Sequence, residues 1–167
     1  MREETDRTEK VHTRTPKTVF ALYALHVFLA VGAIGGGGFL IVDPSGEMLG
    51  MTEDLLKRSP FANLMIPGII LLLVFGAVPL LTVGAMMRRP PLKGLGRVHP
   101  FRDMYSAWAV SLYIGFGLII WIMVQTYMMN GVGAVHLLYM SLGMAIQAVT
   151  MLPSVQGYFR LGEENIH

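Results

Sequence analysis

Residues 18–42 read TVFALYALHVFLAVGAIGGGGFLIV, and this stretch decides the fold of the chain. It contains no Asp, Glu, Lys or Arg, and it is longer than the roughly 20 residues that an α-helix needs to cross the hydrocarbon core of a bilayer. Because backbone N–H and C=O groups find no partners in lipid, such a segment must satisfy them within its own helix. Its length, together with the acidic residues in the preceding arm, favours a retained transmembrane helix over a cleaved signal peptide.

Three further segments share this character, at residues 61–87, 104–129 and about 136–158. Of all residues in the chain, 53% are hydrophobic and only 14% are charged, whereas about a quarter of the residues in a typical soluble domain are charged. We therefore predict an all-α membrane protein, with a bundle of four transmembrane helices at residues 18–159.

The distribution of Lys and Arg predicts the orientation of the four spans, because cytoplasmic flanks are rich in cations. Most of the cations lie in the N-terminal arm, in the loop between the second and third spans, or in the C-terminal tail, which all fall on one side of a four-span protein. These cations are Arg2, Arg7, Lys10, Arg14, Lys17, Arg88, Arg89, Lys93, Arg97, Arg102 and Arg160. Only Lys57 and Arg58 fall on the opposite side. We expect residues 1–17 to form a cytoplasmic arm and residues 160–167 a cytoplasmic tail.

The connection between the first two spans predicts a tight turn followed by a short helix. Residues 43–46, Asp-Pro-Ser-Gly, fit a type I turn position by position. Residues 51–61 predict an interfacial helix capped by Thr52, and Ser59-Pro60 is typical of the start of the second span. The alternative for this loop is an extracytoplasmic recognition element.

Residues 35–38 are four consecutive glycines, which invites comparison with a phosphate-binding loop. Such loops need the spacing GxxxxGK[ST] or GxGxxG between a strand and a helix, and this run has neither. Small residues spaced by four favour close helix packing instead. The spaced pairs are Gly32 with Gly36 and Ala33 with Gly37. Alternatively the run breaks the helix, as at transporter ion sites, and Pro67 and Pro79 offer similar kinks in the second span.

One face of the fourth span is polar or small. Its members, three or four residues apart, are His136, Tyr139, Gly143, Gln147, Thr150, Ser154 and Gly157. We expect this face to turn toward other helices, where Gln147 near the middle of the span needs a hydrogen-bond partner. The third span offers a matching groove at Ser111 and Gly115, with Gln125 near its outer end. Interhelical hydrogen bonding and ligand contact both stay open as roles for Gln147. The further candidates for an intramembrane polar or ligand-binding role are Tyr139, Thr150, Gln125 and His26.

His26 is the only side chain in the middle of a span that titrates near neutral pH. An intramembrane ionisable residue is a candidate functional group, although no acid lies in the spans to exchange its proton. A hydrogen-bonded structural histidine is the simpler interpretation. His26 and His136 lie toward opposite ends of their spans, so we expect them to share no metal site.

The loop between the second and third spans, RRPPLKGLGRVHPFRD at residues 88–103, is basic and stiffened by paired prolines. Its cations suit anionic lipid head groups, and the same charges also serve to set the topology. The expected lipid contacts are Arg88, Arg89, Lys93 and Arg97.

Four stretches together resemble a family of small bacterial four-span membrane proteins. These stretches are DPSGEMLGM (43–51), SPFANLMIPGIILLLVFG (59–76), SLYIGFGLIIWIMVQTYMM (111–129) and TMLPSVQGYFR (150–160). The resemblance covers nearly everything after the N-terminal arm and implies a bacterial cytoplasmic membrane. It supplies no activity, cofactor or catalytic residue. The family's ending is expected to be more basic than SVQGYFR, which implies a weaker hold on anionic lipid here.

The residue inventory favours a function that depends on association rather than on chemistry. The chain has no cysteine, and the spans hold no carboxylate and no nucleophile–base pair, so we expect no cofactor, no metal and no enzymatic activity. The net charge of +2 gives no reason to expect a nucleic-acid partner. We predict an accessory, assembly or regulatory subunit whose partners are lipids and another membrane protein or a second copy. The alternative is a small transporter, channel or lipophilic-ligand binder with a site near Gln147 and residues 35–38.

Overall fold

The computed structural model describes residues 15–50, 59–89, 100–101 and 103–161, and this part of the chain is helical, without a strand. Five helices follow one another along it. They are α1 (Lys17–Val42), α2 (Met65–Arg88), α3 (Ser106–Met129), α4 (Ala134–Thr150) and α5 (Pro153–Phe159). One turn of 3₁₀-helix, Glu47–Leu49, lies between α1 and α2. The interfacial helix predicted around Thr52 falls on residues outside the described ranges.

Three of these helices, α1, α2 and α3, are long and apolar enough to cross a membrane. The pair α4 and α5 makes a fourth span if it is counted as one, although the two helices meet at a bend of 63°. Large apolar side chains on all the long helices face outward, with Val31 66% and Leu81 71% exposed. A monomeric soluble protein rarely exposes such continuous apolar surface. The prediction of an all-α protein with several membrane-capable helices is confirmed.

The two ends of the bundle are distinguished by the residues that meet there. We call the end that holds both ends of the described chain the proximal end, and the opposite end the distal end. At the proximal end, Arg89 and Thr15 both bond Tyr158, and the N–H of Tyr105 donates to the carbonyl of Phe159 at 2.9 Å. At the distal end, the N–H of Leu64 donates to the carbonyl of Pro44 at 2.9 Å. Helices α1 and α3 therefore run from the proximal to the distal end, and α2 and α4 run back.

Helix α1 continues without a break through the glycine run, because a neighbouring helix needs the space that these glycines leave. A Cβ atom on Gly37 would lie 2.7 Å from the carbonyl oxygen of Gly68 in α2, closer than any real Cβ contact. A Cβ on Gly68 would lie 2.8 Å from the Cβ of Leu40. By contrast, a Cβ on Gly35 or Gly38 would have nothing within 4 Å, so these two glycines face away from the bundle. Close packing therefore accounts for Gly37, and no half-helix ends form there.

Helix α2 begins at Met65 rather than at Phe61, so Ser59-Pro60 does not form its N-terminus as the sequence predicted. The middle of this helix, Leu71–Ala77, is a π-helix, in which the N–H of Val78 bonds the carbonyl of Leu73. The segment lies between Pro67 and Pro79, and a proline lacks the N–H that the regular α-helical pattern needs. Local π adjustment is one way in which membrane helices accommodate prolines.

The fourth span, which the sequence predicted as one helix over about 136–158, is divided at Pro153. Since Pro153 has no N–H and clashes with the preceding turn, the helix stops at Thr150 and restarts in α5. The backbone carbonyls freed by the break find side-chain donors. The indole Nε1–H of Trp108 donates to the carbonyl of Thr150 at 2.8 Å, and the Gln156 amide donates to the carbonyl of Met151 at 2.8 Å.

Candidate functional site

A cavity of about 510 Å³ lies in the distal half of the bundle, between α1, α3 and the start of α4. Leu71 of α2 and Gly50 of the turn after α1 complete its wall. Apolar side chains and glycines form most of the lining. They are Leu29, Gly32, Ala33, Gly36, Leu40, Gly50, Leu71, Leu118, Ile122, Met129, Gly133 and Val135. The other lining residues carry a polar group: Trp121, Gln125, His136 and Tyr139. No described lining residue is charged.

The inner end of the cavity is apolar, and its polar groups lie nearer the distal end, among apolar residues such as Leu40 and Met129. Leu29 and Leu118 lie deepest, whereas Gln125 and His136 belong to the last turns of α3 and the first turn of α4. At 1.5 Å per residue, Leu118 lies about 10 Å below Gln125 along the axis of α3. A molecule in the cavity would meet only hydrocarbon at the inner end, and both hydrogen-bonding and apolar groups toward the distal end.

Tyr139 reaches across the cavity from α4 to α1. Its hydroxyl occupies the position that a Cβ atom on Gly32 would take, so any larger residue at Gly32 would displace the ring. Within the described part of the chain this hydroxyl makes no hydrogen bond. The sequence predicted Gly32 and Tyr139 as separate packing and ligand candidates, and the structure brings them into one contact.

His136 closes the first turn of α4 and thereby fixes its own tautomer. The backbone N–H of Gly133 donates to Nδ1 of His136 at 3.0 Å. In the neutral ring, Nδ1 is then the acceptor and Nε2 carries the proton. His136 therefore offers one N–H donor, Nε2, for further hydrogen bonding.

Trp121 and Gln125 complete the polar part of the lining from α3. The Trp121 ring packs on Phe75 of the π segment at a centroid distance of 6.0 Å, and its Nε1 is buried with no partner among the described residues. The Gln125 amide has no hydrogen bond to another described residue. Trp121 and His136 were absent from the sequence-based site. The one pattern that could have pointed to His136 is its position three residues after Gly133, which suits a residue that caps the start of a helix.

Gln147 does not line the cavity. Its side chain packs against α3, with Cγ 2.7 Å from the position of a Cβ on Gly115, and its Nε2 is buried without a partner among the described residues. Gly143 lies beside the same contact, where a Cβ would be 3.2 Å from the carbonyl oxygen of Gly115. The structure thus does not bring Gln147 together with the glycine run, since Gly36 lines the cavity and Gln147 packs against Gly115.

Ser111 and Thr150 join α3 to α4 through a buried chain of hydrogen bonds. The Thr150 hydroxyl donates to the carbonyl of Ile146 at 2.6 Å, so Ser111, 2.9 Å away, must be the donor to the Thr150 oxygen. Both side chains are fully buried. Thr150, a candidate ligand residue in the sequence, thus lies in the helix contact and outside the cavity.

His26 is fully buried in α1 and also lies outside the cavity. Its Nδ1 lies 2.9 Å from the carbonyl of Leu22 one turn earlier and donates to it. The neutral ring then leaves Nε2 as an acceptor, which has no partner among the described residues. This arrangement suits a structural histidine.

Of the four cations expected at lipid head groups, two are described. Both are exposed, and Arg89 donates from Nη2 to the carbonyl of Tyr158 at 2.8 Å, with its guanidinium 4.2 Å from the centre of that ring. Arg89 thus binds the end of α5 as a cation near helix C-terminal carbonyls. Lys93 and Arg97 lie outside the described residues.

Asp43 organises the turn at the distal end. The N–H of Gly46 donates to the Asp43 carbonyl at 3.1 Å, closing the turn, and the Asp43 carboxylate accepts from the N–H of Met48 at 2.8 Å. This backbone hydrogen bond, followed by those from Ser45, holds the pKa of Asp43 below its ordinary value. The turn leads to Gly50 and so places the loop against the cavity.

No protein-family model, curated protein or solved structure matches this chain. The resemblance to small bacterial four-span proteins therefore stays a prediction, and the function is inferred from the cavity.

Proposed function

We propose that this protein is an integral membrane protein that binds a small lipophilic molecule in its distal cavity. The observation that carries the proposal is the cavity of about 510 Å³ with a mostly apolar lining and a few polar groups at one end. Small-molecule sites in proteins typically occupy about 300–1,000 Å³ and have this kind of lining. Of the polar candidates in the sequence, Gln125 and Tyr139 line this cavity, whereas Gln147, near which the alternative ligand site was expected, does not.

We prefer ligand binding to a role in association with another protein, because the small residues that make the closest helix contacts pack against other helices of the same chain. Gly37 packs on Gly68, and Gly115 lies beside Gly143. These glycines are thus occupied by the protein's own helices and offer no surface to another protein.

A matched pair of substitutions in α1 tests ligand binding. Gly36→Leu places a side chain at the cavity wall, where an added Cβ meets only the flexible end of Leu71 at 3.4 Å. Gly35→Leu makes the same change one residue away, with nothing within 4 Å. We expect a small molecule that co-purifies with the wild type and with Gly35→Leu to be missing from Gly36→Leu when mild-detergent extracts are analysed by mass spectrometry. Equal amounts in all three proteins would rule out binding in this cavity.

A second function, an accessory or assembly role through helix association, is favoured by the outward face of α1. Gly35 and Gly38 have no neighbours there, and Val31 and Val42 on the same face are 66% and 76% exposed. Small residues on a lipid-facing surface let a second helix approach closely. This role makes the opposite prediction: Gly35→Leu, and not Gly36→Leu, would abolish co-purification with a partner protein or crosslinking between copies.

We further propose the bacterial cytoplasmic membrane as the location, with four spans and both termini in the cytoplasm. The excess of Lys and Arg beside the ends that carry the termini supports this orientation. The bend at Pro153 is compatible with a fourth span that is broken near its proximal end.

A further inference from the structure

We infer that the distal cavity selects an uncharged amphiphile, with an apolar body at Leu29 and Leu118 and a neutral hydrogen-bonding head group at Gln125, His136 and Tyr139. This inference rests on the proposed function, because it names the chemical class of the ligand for the same cavity. The head group would be a hydroxyl, carbonyl or amide, all of which are served by the donors and acceptors present.

The polar end of the cavity supplies unused hydrogen-bonding capacity. The Tyr139 hydroxyl and the Gln125 amide make no bond to a described residue, and His136 has only Nε2 left after Nδ1 accepts from Gly133. A hydroxyl or amide both donates and accepts, and Nε2–H is a donor in the neutral tautomer. Together these groups match a neutral head group that has at least one acceptor oxygen.

The absence of charge from the described lining argues against an ionic ligand. Neither Lys nor Arg is there to pair with a carboxylate or phosphate, and neither Asp nor Glu is there to pair with an ammonium group. Burying an unpaired charge in an apolar site is far more costly than burying a neutral polar group. A lipophilic ion would therefore bind much more weakly than its neutral analogue.

The position of the polar groups fixes the direction of the ligand. The head group lies at the level of Gln125, and the apolar inner end at Leu118, about 10 Å deeper along α3, holds the tail. A pure hydrocarbon would fill the cavity but leave the three polar side chains unpaired. Each hydrogen bond that forms with the head group is expected to improve affinity roughly two- to tenfold.

A series of ten-carbon probes tests this class in the full-length protein, reconstituted in phosphatidylcholine nanodiscs. Brominated decanol is expected to quench the fluorescence of Trp121, which lines the cavity, whereas Trp108 is buried against Thr150. The quenching should saturate in the wild type and be lost in Trp121→Phe and in Gly36→Leu. Decanol should displace the brominated probe at about tenfold lower concentration than decane, and decanoate and decylammonium should be weaker than decanol.

Two variants locate the head group. Gln125→Leu and Tyr139→Phe should each weaken decanol binding about fivefold while leaving decane binding unchanged, which also shows that the cavity is intact. Tyr127→Phe is the matched control, because the Tyr127 side chain is 71% exposed and does not line the cavity.

The outcomes separate this inference from the proposed function. If decane binds as tightly as decanol, or if decanoate or decylammonium binds best, the ligand class is wrong and lipophilic binding stands. If no probe gives saturable quenching that depends on Gly36, both the ligand class and the binding function are refuted.

Discussion

Single residues decide how closely the helices approach one another. At the crossing of α1 and α2, a Cβ on Gly68 would lie 2.8 Å from the Cβ of Leu40 and 3.0 Å from the carbonyl oxygen of Gly37. Two backbones meet there, and neither the carbonyl nor the Cβ is the end of a flexible side chain. The contact therefore tolerates no side chain at either glycine.

We expect Gly68→Ala to lower the free energy of unfolding by about 1–3 kcal/mol, because overpacking forces the two helices apart. The control is Gly38→Ala, a site with nothing within 4 Å, where the better helix propensity of Ala should be neutral or stabilising by up to about 1 kcal/mol. Unfolding in mixed micelles measures both. Equal effects of the two substitutions would contradict the close backbone contact.

The two tryptophans offer a second comparison between single residues. Trp108→Phe removes the donor to the Thr150 carbonyl and leaves that buried acceptor unpaired, which is expected to cost about 1–3 kcal/mol of stability beyond the loss of ring area. Trp121→Phe removes an Nε1–H that has no partner among the described residues, so it lacks this penalty. In the same unfolding assay, the Trp108→Phe variant is expected to have a clearly lower free energy of unfolding than the Trp121→Phe variant. The reverse order would be inconsistent with the assigned hydrogen bonds.

At the scale of elements, prolines and turn residues determine where helices bend and stop. Pro153 divides the fourth span, while Pro67 and Pro79 flank the π segment of α2. The turn after α1 depends instead on Asp43, whose carboxylate bonds the backbone N–H groups of Ser45 and Met48. A charged acceptor makes these bonds stronger than neutral ones.

The Asp43 turn is expected to weaken in acid. Since folding lowers the pKa of this carboxyl, its contribution to stability is present above the unfolded pKa of about 3.9 and is lost as the pH falls through the lower folded value. Thermal unfolding between pH 5 and about pH 2 should show a decrease in midpoint that is smaller in Asp43→Asn, whose amide does not titrate over this range. If the wild type and the variant show the same pH dependence, the ionised Asp43 carboxylate does not stabilise the turn.

For the whole molecule, the decisive property is that apolar helices present their apolar surface outward while both described ends of the chain lie at the proximal end. We expect a reporter fused after His167 to be active only in the cytoplasm, and the protein to require detergent or lipid for extraction. A reporter at His167 that labels from outside intact cells would reverse the proposed orientation.

Much of the fold was predictable from the sequence, and less of the site. The predicted spans 18–42 and 104–129 correspond closely to α1 and α3, because uncharged apolar runs have only one way to satisfy their backbone in lipid. Helix α2 starts at Met65, four residues after the predicted start of the second span, and Leu64 just before it bonds to Pro44, a contact distant in sequence. Among the candidate ligand residues, Gln125 and Tyr139 line the cavity, whereas Gln147, Thr150 and His26 do not.

By itself, then, the sequence determined that this is a chain of membrane-capable helices, since hydrophobicity acts locally. The bend at Pro153 was not predicted. Only the tertiary structure decided which polar side chains meet. Residues such as Tyr139 and Gly32 lie on different helices, and their contact depends on how each helix is rotated and shifted against its neighbours. The cavity has the same origin, because it is space left where α1, α3 and α4 fail to fill the distal half of the bundle.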